Sequence, residues 1–265
     1  MRHRIAQDAK PQLLLLLLAT AITLALYFIP LADYLVYPIR LFVTFIHESG
    51  HALMAVVTGG SVKSLTIAAD GSGEVYSAST GLIGELLTSS AGYLGTTAFG
   101  VLLLFLIRRS FSANKILAAL GIFVAAMTVL FTVVSPLINF LSLNTSFSSI
   151  VFTAVAGSVL AAGLVLLGIY SKARLANFAV AFLAVQCLLN AALDLVNVFF
   201  INAPFVGADI QTDAGNMAAA TGLPGVVWVV IWMGISLVML SLGLRLYAVK
   251  ANKAADDSVF EGNPS

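Results

Sequence analysis

Charge is what this 265-residue chain has least of: Asp, Glu, Lys and Arg together make up 9% of it. Soluble domains carry about 25% charged residues, so this chain cannot dress a water-facing surface, which excludes a soluble enzyme and a disordered chain. It has a single cysteine, Cys187, inside an apolar run. That residue cannot form an internal disulfide or a cysteine-rich zinc site, and it reads as a small core hydrophobe. A net charge of +1 leaves no electrostatic footprint for nucleic acid, and none is expected as a partner. What the chain has in quantity is apolar residues, 60% of the total, with a mean hydropathy of +1.03. This composition points to an all-α, polytopic, integral membrane protein whose solvent is the lipid bilayer.

A helix needs about 20 apolar residues to cross the hydrocarbon core. Seven stretches meet that length: Gln12–Leu31, Val36–Thr58, Gly81–Ile107, Lys115–Ser135, Ser148–Tyr170, Leu175–Phe200 and Leu223–Tyr247. The first follows Arg2, Arg4 and Lys10 as a signal peptide would, but its apolar run continues to Ile29, so it reads as a retained helix. Between the second and third stretches, Ser61–Ala78 carries short runs of β-branched and aromatic residues around Asp70-Gly71-Ser72-Gly73, the pattern of a β-hairpin. The polar linker Asn202–Gly222 has room for a short helix near Ala214–Ala220. Residues 1–250 are expected to form one membrane domain. Residues 251–265 form a polar tail expected to be disordered.

The chemistry is concentrated in the second stretch, which contains Phe45-Ile46-His47-Glu48-Ser49-Gly50-His51-Ala52. On a helix, His47 and His51 lie one turn apart on one face. Two neutral imidazoles so placed can hold one Zn²⁺, and Glu48 can serve as general base toward water. The chain has only three histidines, the other being His3. The alternative is a pair of histidines satisfied by interhelical hydrogen bonds. Ionisable residues at membrane depth are costly, however, and three within five positions point to function.

Catalytic zinc usually takes three protein ligands. No third histidine stands at membrane depth, which directs the search to an intramembrane carboxylate. Asp194 is the deep candidate: Gln186, Asn190, Asp194 and Asn197 form a polar stripe along one helix face, which must turn toward the bundle interior. Asp213 is the competitor, a loop acid able to fold back over the site. Asn190 can orient the carboxylate or bind substrate. Arg40 shares the face of Thr44, His47 and His51, and either supports the site or snorkels to the interface. In the third stretch, Tyr93 belongs to a polar lining of Ser89, Ser90, Thr96 and Thr97, and Gly92, Gly95 and Gly100 suggest close helix packing.

A membrane-buried H-E-x-x-H, then a glycine-containing hairpin, then a later intramembrane Asp resembles the site-2 protease family of intramembrane zinc metallopeptidases. Within it, the chain is most similar to the small branch of peptidase M-fifty-B-like proteins. The stretches that carry the resemblance include His47–Leu53, Gly59-Gly60, Asp70–Gly73, Ala91–Gly95, Leu193-Asp194-Leu195, Thr212-Asp213-Ala214 and Trp228 with Trp232. The resemblance implies zinc on His47, His51 and Asp194, Glu48 as base, and cleavage of peptide bonds within or beside the membrane. One departure stands out. The family's N-x-x-P-x-x-x-x-D-G pattern around the third ligand is not kept, since Asn190 has a different spacing, that proline is missing and Leu195 replaces the glycine. Two other readings remain at this stage: a non-catalytic zinc-binding membrane protein, against which the intact Glu48 argues, and a transporter, which would need polar lining from face to face.

Overall fold

The computed structural model describes residues 32–109, 111–140, 145–202 and 212–248, together with residues 18, 20–22 and 25. The expected first span, Gln12–Leu31, falls almost wholly outside the described residues, as does the tail from Ala251. The elements in chain order are α1 (Ala32–Val57), β1 (Ser61–Ile67), β2 (Gly73–Ala78), α2 (Leu82–Arg108), α3 (Ala113–Ile138), α4 (Phe147–Tyr170), α5 (Ala173–Ile201), α6 (Asp213–Thr221) and α7 (Gly225–Ala248). Helix α3 passes through a π-helical stretch, Thr128–Val134, before its last turn.

Five of these helices are long and apolar enough to cross a membrane: α2, α3, α4, α5 and Gly225–Arg245 of α7. The stretch Val36–Thr58 does form a helix, α1, but Arg40, His47, Glu48 and His51 break its apolar run and it is not among the five. Helices α4 and α7 turn large apolar residues outward, among them Val155, Val159, Ile169, Leu237 and Val238. In water such a surface would be a liability; against lipid tails it is the expected one.

Helix α2 is the hub, packing against α1, α5, α6 and α7. Small residues permit this. A side chain at Gly50 of α1 would collide with the backbone carbonyl of Ala91 in α2, so the two helices cross at near backbone contact. The main core lies between α1, β1, α2, α3, α4 and α5. A second, smaller one gathers Tyr93, Leu195, Val198, Met217, Val229 and Trp232 beneath α6.

The hairpin forms where the sequence indicated. Its strands pair antiparallel from Ser61↔Ala78 to Ile67↔Gly73, with a bulge between Val62 and Ser64. Its two edges differ. Strand β1 is nearly all buried, and its carbonyl and amide groups are met by side chains: Thr132 donates to the Leu65 carbonyl at 2.8 Å, and the Ile67 amide donates to Thr153 Oγ1 at 2.6 Å. Strand β2 is the second strand of a two-stranded sheet, and its outer edge has no strand partner among the described residues. The connecting loop is pinned to α1 by three side chains on one helix face. Tyr37 donates to the Ala69 carbonyl at 2.7 Å, Arg40 to the Asp70 carbonyl, and Thr44 to the Gly71 carbonyl at 3.0 Å. Within the loop, the Ser72 hydroxyl and amide both donate to Asp70 Oδ1 and hold that carboxyl below its ordinary range.

Candidate metal centre

The face of α1 that pins the hairpin loop continues, one turn further on, into His47 and His51. Their Nε2 atoms stand 3.1 Å apart. Each also faces a carboxylate oxygen, Asp213 Oδ2, at 3.5 Å from His47 and 3.2 Å from His51. Zinc bonds of about 2.0–2.1 Å in a tetrahedron set ligand atoms roughly 3.3–3.4 Å apart. The three separations fall on either side of that value. Among the described residues, this is the group of His, Cys, Asp and Glu side chains whose donor atoms converge closely enough to hold a metal.

The donor chemistry also fits. His51 Nδ1 lies 2.7 Å from the Thr88 carbonyl of α2, which can only accept. With Nδ1–H committed there, the neutral ring presents the lone pair of Nε2 to the cluster, as a metal-ligating histidine does when a carbonyl orients it. The His51 lone pair, His47 Nε2 and a carboxylate oxygen then converge on one point, an arrangement that a cation resolves.

Asp213 reaches the pair because α6 starts there. Thr212 caps the helix, accepting from the Gly215 amide at 3.0 Å, and Asn202 at the end of α5 donates to the same Thr212 oxygen at 3.2 Å. Asp213 is thus the first helical residue, where the helix dipole favours a carboxylate. Ala214 and Met217 bury the other side of α6 in the smaller core. The short helix anticipated at Ala214–Ala220 runs Asp213–Thr221.

Of the two acids weighed as third ligand, the structure brings Asp213 to the histidines, and Asp194, the one expected first, is not in that group. The reason lies in the rotation of α5. Ala191, Leu195 and Val198 are the buried face, which leaves Asp194 and Asn197 exposed to the cavity. The polar stripe turns inward as expected, but it forms a wall of the site and does not reach the imidazoles. Asn190 donates to the Gln186 carbonyl at 2.8 Å and lines the same wall. Arg40 is spent on the hairpin loop. Tyr93 sets its ring edge to face against His47, with centroids 4.6 Å apart.

Gly92 was legible in the sequence only as a packing residue. A methyl group there would fall on Nε2 of both His47 and His51, so the absent side chain is what makes room for the cluster. The signal was in the A-G-Y-L-G stretch, but only the crossing of α1 and α2 shows which glycine faces the imidazoles. Gly73, the first residue of β2, plays the corresponding part for Glu48, whose carboxyl occupies the space that its side chain would take. Glu48 itself is buried beside the cluster. Together α1, β2, α5 and α6 enclose an open cavity of about 1030 Å³ that contains His47, Glu48, His51 and Asp213.

Helices of membrane length around such a cluster define an integral membrane protein. Paired histidines with a carboxylate, beside a glutamate free of the cluster, are what metalloproteases use to bind their metal and activate water. The particular family is shown by a family model, Peptidase M50B-like, which matches residues 17–243, and the chain belongs to that family. Neither a curated protein nor a solved structure matches it.

Proposed function

We propose that this protein is a multi-pass zinc endopeptidase that hydrolyses peptide bonds within or beside the bilayer, on substrates that are transmembrane or membrane-adjacent peptides. The observation that carries this reading is the triangle of His47 Nε2, His51 Nε2 and Asp213 Oδ2 with Glu48 in the same cavity. His47, His51 and Asp213 would hold one Zn²⁺. Bound there, zinc supplies Lewis acidity toward a substrate carbonyl and a water.

The chain's own residues do the rest. Glu48 takes a proton from the attacking water and delivers it to the departing amine. Its position next to the start of β2 matters, because a helical substrate hides its carbonyls and must be drawn out into extended form before attack. The outer edge of β2 borders the cavity and offers backbone groups for that purpose. Asn190, Asp194 and Asn197 face it from α5 and supply polar partners to the unwound segment.

Purified protein in liposomes, with a set of quenched-fluorescent transmembrane peptides, tests the reading. Glu48→Gln should keep its zinc and lose roughly 10²–10⁴-fold in rate, since the amide cannot accept the proton. Cleavage by Glu48→Gln at the wild-type rate would overturn the peptidase mechanism.

A further inference from the structure

The Tyr93 hydroxyl stands out among the polar groups that line the cavity. Tyr93 is 7% exposed, and its ring is fixed on two sides. His47 meets it edge to face, and the Trp232 ring lies against it with centroids 5.4 Å apart. Trp232 is held in turn, its Nε1–H donating to Ser90 Oγ at 3.0 Å. Ring positions locked this way leave the phenol one direction to point. Tyr93 lines the same cavity as Glu48, Asp194 and Asp213. Yet the hydroxyl makes no hydrogen bond with any described residue, while Thr96 and Thr97 on the same helix donate to carbonyls of their own helix. A rigid O–H donor with no partner among the described residues, on a ring packed against His47 in the cavity that holds Glu48, is what a developing oxyanion requires.

We infer that Tyr93 is a catalytic residue, the hydrogen-bond donor that stabilises the oxyanion as the scissile carbonyl is attacked. The inference rests on the peptidase reading above and adds a role to it. The water oxygen bonds to the carbonyl carbon, and the carbonyl π electrons move onto its oxygen. Tyr93 O–H donates to that oxygen and keeps its proton throughout. Glu48 carries the water's proton to the amide nitrogen. The carbonyl re-forms as the C–N bond breaks, and the Tyr93 hydrogen bond weakens again. The donor is pre-oriented by packing, so it costs no reorganisation during the reaction, and its strength is greatest when charge on the oxygen is greatest.

Tyr93→Phe is the test, because it keeps both ring contacts and removes only the hydroxyl. Zinc content and KM should match wild type, and kcat should fall roughly 10²–10³-fold on the peptide that wild type cleaves fastest. A second readout does not use turnover: a phosphinate analogue of that peptide, whose tetrahedral oxygens mimic the oxyanion, should bind Tyr93→Phe more weakly by the same factor. The uncleaved peptide should bind Glu48→Gln and the Glu48→Gln/Tyr93→Phe double variant equally. Wild-type kcat in Tyr93→Phe, with Glu48→Gln inactive, overturns the role of Tyr93 and leaves the peptidase reading intact. A slow Tyr93→Phe with unchanged phosphinate affinity, or one that has lost zinc, also overturns it, since the tyrosine would then act through His47. Activity in Glu48→Gln instead strikes the peptidase reading itself.

Discussion

Asp194 and Asp213 are the two acids that the sequence offered for one position, and they sit on elements of opposite kinds. Asp194 belongs to a 29-residue helix whose rotation is dictated by what it packs against. Ala191, Leu195 and Val198 take the inner face, and the acid is left on the cavity wall. Asp213 begins a nine-residue helix with little packing to obey. A capping threonine and two buried residues, Ala214 and Met217, set its angle, and its first residue is free to meet the imidazoles. A long helix places its polar groups as a by-product of its apolar ones, whereas a short capped helix can be aimed.

The sharpest way to break this comparison is to remove each acid in turn. Asp213→Ala should lower zinc affinity by on the order of 10²-fold or more, since deleting a ligand costs at least as much as deleting a group that orients one. Asp194→Ala should retain one zinc per chain in metal analysis. The reverse pattern would return the ligand role to α5.

The helix that faces both acids gives a second handle. Gly92→Ala puts a methyl group against Nε2 of both histidines. It should strip zinc from the protein and, as an overpacked contact, cost about 1–3 kcal/mol in stability. Gly163→Ala is the control, because nothing lies within 4 Å of the position a side chain would take there. Zinc retained in Gly92→Ala would mean that α2 does not approach the site as closely as its glycines indicate.

The smallest effect should come from the cap. Thr212→Ala removes the oxygen that accepts from the Gly215 amide, at a cost of about 1 kcal/mol to α6. A change of that size corresponds to roughly fivefold in zinc affinity. Thr212→Ser should restore it. An unchanged affinity in Thr212→Ala would show that Met217 and its neighbours, not the cap, aim the carboxylate.

Much of the molecule was legible without its structure because the relevant forces are local. H-E-x-x-H fixes two imidazoles one turn apart on any helix, the β-branched and aromatic runs around the glycines of Ser61–Ala78 specify a hairpin, and the linker Asn202–Gly222 has room for a short helix. Apolar stretches of bilayer length are equally self-evident, and the described residues bear out five of them, while the stretch that carries His47, Glu48 and His51 forms a helix that is not among the five. Tertiary structure alone decided which carboxylate completes the cluster, since that depends on how α5 rotates against α2. It also decided that Gly92 lies against both imidazoles and that Arg40 donates to the hairpin loop. The same packing left β1 sealed by threonines and β2 open beside Glu48. Sequence periodicity states which face of a helix is polar. Only the sum of packing contacts states what that face meets.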